Sequence, residues 1–147
     1  MKIKLLATTL LLGMNIVFSQ EVKIKKDKVL LDGNLFLKYE KINILTHSVY
    51  DLDDNEILFV SFKDNETPQY IDDDFYILNF TTEKIKVESS DYSRITSFMN
   101  SKKTMQKLIK WLIKDKVINK DGTVNPEKLD VFFEKYDENI TNRTIRN

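Results

Sequence analysis

The sequence predicts an α+β fold: an antiparallel β-meander sheet of five to seven strands, with two C-terminal helices packed on one face. Two observations predict it. Over residues 20–90 short apolar runs alternate with short polar turns, which leaves no room for the crossover helices of a parallel sheet. From residue 101 apolar residues recur at the helical spacing of about 3.6. We expect one domain over residues 20–138, strand-rich over 20–90 and a helical pair over 101–138.

The first strands carry clear local patterns. Val22 and Ile24 alternate with lysines, which is the period-two pattern of a half-buried strand. Apolar runs then flank Asp32 and Gly33, a dipeptide that supplies the positive φ angles of a tight hairpin turn. A second hairpin is expected across residues 53–55. Successive hairpins of this kind build a meander.

The next strands are predicted at residues 56–63, 74–81 and 84–89. The first two are almost continuously apolar, and we therefore expect them to be buried on both faces. The third alternates, so its apolar residues are expected to face inward while Glu88 faces water.

Two helices follow. Residues 101–118 place apolar side chains on one face, and Ser101 is the expected N-cap. Asn125 and Pro126 begin the second helix, with the cap residue followed by proline in the first turn. Its docking stripe comprises Leu129, Phe132, Phe133 and Tyr136. Residues 139–147 are polar and are expected to form a disordered tail.

The N-terminus has the pattern of a cleaved export signal. Lys2 and Lys4 precede an uncharged run over residues 5–18, and Ser19 stands at the expected cleavage position before Gln20. Fourteen helical residues span only about 21 Å, which is short of the ~30 Å hydrocarbon core of a bilayer. We therefore expect residues 1–19 to be a signal peptide and the product to be periplasmic or secreted, without a stable membrane anchor after cleavage.

Composition excludes several function classes. The chain has no cysteine, which argues against a lipoprotein, disulfides and thiolate metal sites. Without residues 1–19, 21 basic residues face 23 acidic ones, a net charge near −2 that does not favour nucleic acid as a partner. Gly33 and Gly122 are the only glycines after residue 19, too few for a phosphate-binding loop. No catalytic or cofactor-binding set of residues is apparent.

Two acidic turns are weak candidates for calcium ligands. The first contributes Asp51, Asp53 and Asn55, in the spacing of the first three ligands of an EF-hand loop. The loop departs from that motif at its sixth and twelfth positions, where Glu56 and Phe62 stand. The second turn comprises Asp72, Asp73 and Asp74. A calcium site would require the two turns to meet at one end of the sheet; solvated hairpin turns are the favoured interpretation.

A lysine stripe runs along the first predicted helix. It is formed by Lys103, Lys107, Lys110 and Lys114. This stripe is a possible contact for an anionic surface or a polyanion, whereas the simpler interpretation is the solvated face of a docked helix. His47, the only histidine, is expected to lie in a turn or at a strand edge without a special role.

Four segments stand out together: residues 18–20, the turn at residues 51–54 with the strand after it, residues 116–128 and residues 133–138. In these segments the chain resembles a group of small, uncharacterised exported proteins of flavobacteria-type Gram-negative bacteria. The resemblance covers roughly the last 100 residues, along with the end of the signal, and includes no catalytic motif. It implies a strand-rich body with a C-terminal helix pair outside the cytoplasm, and no activity.

Three functions remain open at this point. The first is a non-enzymatic periplasmic or secreted domain that binds an envelope or extracellular protein, with sheet edges available for strand addition. The alternative is a carrier of a small apolar ligand, held in a pocket between the sheet and the C-terminal helices. A hydrolase that uses pairs of carboxylates is the third class, and only the presence of carboxylates supports it.

Overall fold

The computed structural model describes residues 20–63, 74–97 and 100–144. The predicted signal peptide, residues 1–19, lies outside the described residues, and so do residues 145–147 of the predicted tail. Within the described ranges, no helix has the length and apolar character needed to cross a bilayer.

In the described part of the chain, seven strands form one sheet in chain order, and every neighbouring pair is antiparallel. Three helices follow these strands within the same residues, and the predicted α+β meander with C-terminal helices is confirmed. The elements are β1 (Val22–Lys25), β2 (Lys28–Leu31), β3 (Asn34–Lys41), β4 (Thr46–Tyr50), β5 (Glu56–Lys63), β6 (Phe75–Phe80), β7 (Ile85–Ser89), α1 (Ser101–Lys114), α2 (Pro126–Tyr136) and α3 (Ile140–Thr144).

The sheet buries one face. Leu58 of β5 pairs with Val49, and its neighbour Val60 pairs with Leu78, so the buried side chains of successive strands align. The expectation that β5 and β6 are buried on both faces is wrong, because Phe59 and the alternate residues of β6 are only half-buried. The main core lies on one face of the sheet, and on the other face most side chains of β5 and β6 stay partly exposed.

The Asp32–Gly33 turn is confirmed. Both residues have positive φ, 50° and 84°, as a two-residue turn that follows the right-handed twist of the strands requires. The start of α2 is also confirmed, since Asn125 caps Lys128 N–H and Pro126 occupies the first turn. The cap of α1 differs by one residue. Asn100 rather than Ser101 accepts the hydrogen bond from Lys103 N–H.

One apolar core lies between the sheet and the helices. The predicted buried face of α1 is confirmed, with Leu108, Ile109 and Leu112 fully inaccessible. In α2 the stripe is narrower than predicted: Leu129 and Phe132 are buried, but Phe133 is 39% exposed. One residue along a helix turns the side chain by about 100°, so Phe133 leaves the narrow seam that α2 makes with the core.

Residues of the helical half hydrogen-bond to backbone groups at both edges of the sheet. At β1, Ile24 N–H donates to Gln106 Oε1 of α1 at 2.8 Å. At β7, Glu88 N–H donates to Asp137 Oδ1 at 2.9 Å, and Glu88 C=O accepts from Glu138 N–H at 2.8 Å. The expectation of open edges is therefore wrong at these positions, because their outward backbone groups already have partners.

Glu88 is a buried anchor for the C-terminal segment. Its side chain is buried, with 1% of the residue exposed. The carboxylate accepts hydrogen bonds from the backbone N–H and the hydroxyl of Thr141, and it forms an ion pair with Lys86 at 3.2 Å. The expectation that Glu88 faces water is wrong. The described part of the predicted disordered tail is instead ordered as α3, with Ile140 buried, because Glu88 and the core hold it.

Burial alone acts to raise the pKa of Glu88, but the hydrogen bonds from Thr141 and the charge of Lys86 outweigh it and hold the pKa below its ordinary 4.5. A carboxylate with a lowered folded-state pKa stabilises the fold fully above its unfolded pKa. That contribution is lost as the pH falls through the folded-state pKa.

We predict that Glu88→Gln lowers the free energy of unfolding at pH 7 by about 1–3 kcal/mol, because the amide cannot accept every hydrogen bond that the carboxylate accepts. The wild-type protein should lose this advantage as the pH falls below about 4.5. Urea unfolding at pH 7 and at several acidic pH values measures both effects. Glu134→Gln, on an exposed position of α2, is the matched control. Parallel pH profiles for the wild-type and Glu88→Gln proteins would contradict this role.

The end of α1 contains a lysine in a conformation that favours glycine. Lys116 has φ 61°, its N–H bonds Ile113 C=O, and Val117 N–H bonds Leu112 C=O. These two hydrogen bonds define a Schellman motif, in which a residue with a Cβ carries a steric cost.

We predict that Lys116→Gly raises the free energy of unfolding by about 0.5–1 kcal/mol, since glycine adopts the left-handed conformation without that cost. Chemical denaturation gives the value. Lys114→Gly, within the last turn of α1, is the control and should destabilise the protein by about 1 kcal/mol. A loss of stability in Lys116→Gly would show that contacts of the lysine side chain stabilise the fold by more than the steric cost of its positive φ.

Candidate functional site

The lysine stripe lies on the water-facing side of α1. Its members, Lys103, Lys107, Lys110 and Lys114, are all exposed, while the opposite face of the helix enters the core. Residues three or four apart on a helix have Cβ atoms about 5–6 Å apart, so the four ammonium groups follow one another as neighbours.

Two other segments build walls beside this stripe. The turn before α1 is anchored by buried Ile95, whose N–H donates to Tyr92 C=O at 3.0 Å. This turn presents Arg94. On the other side the last residue of α2, Tyr136, packs edge-to-face on Trp111 of α1, with ring centroids 4.9 Å apart.

Arg94 lies above the aromatic floor formed by these two rings. Its guanidinium carbon is 5.4 Å from the centroid of Trp111 and 5.0 Å from that of Tyr136, within the range of cation–π attraction. An ion pair with Asp91 at 2.9 Å fixes the other side of the guanidinium. Lys135 Nζ lies 5.1 Å from the Tyr136 ring. The rings therefore hold two of the cations in place.

These elements enclose a groove of about 580 Å³, here called the basic groove. It is lined by Arg94, Lys107, Lys110, Trp111, Lys114, Asp115, Lys135 and Tyr136. Five of these residues are cationic and one is anionic. The carboxylate of Asp115 accepts a hydrogen bond from Trp111 Nε1–H at 3.0 Å, which ties it to the floor. A concentration of one sign of charge in a concave surface raises the local concentration of the opposite ion.

The predicted stripe is only partly within this groove. Lys103 lines a smaller neighbouring depression of about 230 Å³, which shares Lys107 and Lys110 with the basic groove. Lys107 Nζ also donates to Thr96 C=O. Sequence reasoning missed Arg94, Lys135 and Tyr136 as parts of this site, because the turn and α2 bring them to α1 only in the folded chain.

The described residues of the two acidic turns lie at opposite ends of β5. Asp51, Asp53 and Asn55 precede this strand, whereas Asp74 follows it, and eight strand residues span about 26 Å. Asp74 therefore lies too far from the first turn to share an ion with it. Asp72 and Asp73 lie outside the described residues. Within the described ranges, no three acidic or histidine side chains are grouped so as to hold a metal ion.

The first acidic turn uses its carboxylate internally. Asp51 Oδ1 accepts from the N–H groups of Asp53 and Asn55 at 3.0 and 2.9 Å, and Oδ2 accepts from Asn55 Nδ2 at 2.9 Å. The hydrogen bonds from Asn55 hold the pKa of Asp51 below its usual value. Asp54 pairs with Lys38 at 2.6 Å. The geometry is that of a self-capped hairpin turn.

His47 lies on the core face of β4 and not in a turn or at a sheet edge, since β4 has neighbours on both sides. The Tyr39 hydroxyl is 2.8 Å from Nδ1, and Nε2 is 3.3 Å from Ile44 C=O. Because the carbonyl only accepts, Nε2 carries the proton and Nδ1 accepts from Tyr39. Burial lowers the pKa of His47, which keeps the ring neutral in this setting.

A second depression, of about 310 Å³, lies beside the turn between β3 and β4 and has a more apolar lining. Ile44 and Leu45 of that turn line it together with Phe62 and Tyr92. Ile44 is 75% exposed. This depression offers little charge for recognition, since Lys63 and Asp74 carry opposite signs.

Comparison of the chain with protein-family models, with curated proteins and with solved structures gives no match. The function is therefore inferred from the basic groove and the sequence.

Proposed function

We propose that the protein is an exported, non-enzymatic binding domain that acts in the periplasm or outside the cell and binds an anionic envelope or extracellular component through the basic groove. The observation that carries this proposal is the gathering of five cationic side chains against one carboxylate. The whole chain has as many acidic as basic residues, so this imbalance is local.

The arrangement of the cations supports binding more than mere solvation. Arg94 belongs to a turn, the lysines belong to α1, and Lys135 belongs to α2, so three segments converge on one concave surface. Arg94 is also held by two rings and Asp91 before any ligand arrives. A preorganised cation loses less side-chain entropy on binding than a free one.

The non-enzymatic part is supported by the sequence and by the state of its one histidine. The chain has no Gly-x-Ser-x-Gly motif. His47 is buried, and both of its ring nitrogens are engaged by Tyr39 and Ile44. A ring in that position has no free nitrogen with which to take a proton from a substrate.

Binding at the basic groove can be measured with sucrose octasulfate, a compact polyanion. Trp111 is the only tryptophan, so its fluorescence reports on this groove. We predict a saturable fluorescence change that weakens as salt is added. Lys110→Glu/Lys114→Glu should bind about tenfold more weakly or worse, because two attractive contacts become repulsive.

The control is Lys25→Glu/Lys28→Glu, which makes the same charge change on the exposed β1–β2 hairpin, away from the groove lining. Melting temperatures verify that each variant folds. A flat titration of the wild-type protein, or an equal loss of affinity in the control, would contradict the proposed groove.

Export is supported by Lys2, Lys4 and the uncharged run after them. When the full chain is expressed in a Gram-negative host, we predict that N-terminal sequencing of the periplasmic fraction reads from Gln20. Leu11→Asp/Leu12→Asp, which interrupts the apolar run, should leave an uncleaved chain in the cytoplasm. A wild-type protein that retains Met1 in every fraction would rule out the cleaved signal.

A further inference from the structure

The cations of α1 form a line, not a compact cluster. Lys103 and Lys114 are eleven positions apart, which corresponds to about 16 Å along a helix. Lys107 and Lys110 lie between them, and neighbouring members have Cβ atoms about 5–6 Å apart. A ligand that meets all four ammonium groups must be extended and must carry anionic groups at regular intervals.

Concave surface accompanies the line over most of its length. The basic groove flanks Lys107, Lys110 and Lys114, and the smaller depression flanks Lys103, Lys107 and Lys110. The two hollows flank the shared lysines, and Glu21, Val22 and Gln106 complete the lining of the smaller one. Such a surface accommodates a chain lying along the helix better than it accommodates a single headgroup.

We infer that the ligand of this surface is a linear acidic polysaccharide, with one carboxylate or sulfate on each repeating unit, bound as an extended chain along α1. This inference rests on the proposed function and specifies its ligand. The ammonium groups of lysine suit it, because each is a point charge that needs no paired acceptor geometry. Arg94 and Lys135, which contact the Tyr136 ring, add two further cations beside the line.

A membrane surface fits these residues less well. A helix that lies on a bilayer inserts its apolar face among the acyl chains. The apolar face of α1 is buried in the core, including Leu108 and Leu112. Among the residues that the structure describes, the exposed large apolar side chains line neither hollow beside the lysines; they are Leu35, Ile42, Ile44, Leu45, Leu52, Val131 and Phe133.

A single-stranded nucleic acid also fits less well. Proteins that bind it stack bases on accessible aromatic rings. Trp111 is 8% exposed, and Arg94 already covers part of its ring. The lysine line offers charge without a stacking platform.

The test uses Trp111 fluorescence with oligogalacturonates of increasing length and with size-fractionated dextran sulfate. The affinity should rise at least tenfold from the monosaccharide to chains long enough to span Lys103 to Lys114. Longer chains should bind with no further gain in affinity per chain. The uronate and sulfate series distinguish which anionic group is preferred.

Lys103→Glu separates an extended ligand from a compact one, because Lys103 lies outside the basic groove. It should weaken the long oligosaccharides roughly threefold or more, the effect of one exposed ion pair, and leave sucrose octasulfate unchanged. Lys102→Glu, at the adjacent exposed position, is the control and should have no comparable effect on either.

Three outcomes would overturn the inference. The first is equal affinity for the monosaccharide and the long chains. The second is tighter lysine-dependent binding to phosphatidylglycerol vesicles, and the third is tighter binding to oligo-dT. In each of these cases binding to sucrose octasulfate would still stand, so the proposed function would survive. Failure of sucrose octasulfate as well would remove both.

Discussion

The rest of the structure depends on the covering of one face of an open seven-stranded sheet. Such a sheet leaves an apolar face in water unless helices pack on it, and each Å² of apolar surface buried contributes roughly 25 cal/mol. Leu108, Leu112 and Leu129 provide that cover from α1 and α2. Because α1 turns its apolar side to the sheet, its lysine side must face water. The line of cations beside the basic groove is therefore fixed by the packing of the core.

Local pattern was sufficient to predict the strands, the Asp32–Gly33 turn and the Asn125 cap, because each depends on neighbours in sequence. Prediction failed where distant segments meet. The alternation around Glu88 indicates a water-facing side chain, and only Thr141, 53 residues later, makes it buried. The two-sided burial expected for β5 and β6 failed for a similar reason, since a strand's own residues do not show how many layers the fold has.

The candidate site was predicted in part. The spacing of the lysines places them on one helix face, which is a local property, whereas Arg94 and Lys135 reach that face only through the packing of a turn and of α2. The position of Asp74 has a topological reason that the sequence already contained. Successive turns of a meander alternate between the two ends of the sheet, so Asp74 lies at the far end of β5 from Asp51, Asp53 and Asn55.

The hydrogen bonds at the sheet edges also determine when each edge strand gains its partners during synthesis. Ile24 N–H forms its hydrogen bond with Gln106, 82 residues later in the chain. Glu88 forms its hydrogen bonds with residues 49 to 53 positions later. A chain that emerges N-terminus first pairs its hairpins early, but β1 lacks its edge partner until α1 is released, and β7 lacks its partners until residues 137–141 are released. During that interval, partly synthesised copies present unpaired strand edges to one another. Premature termination near the end of the chain therefore removes few residues but leaves an association-prone intermediate.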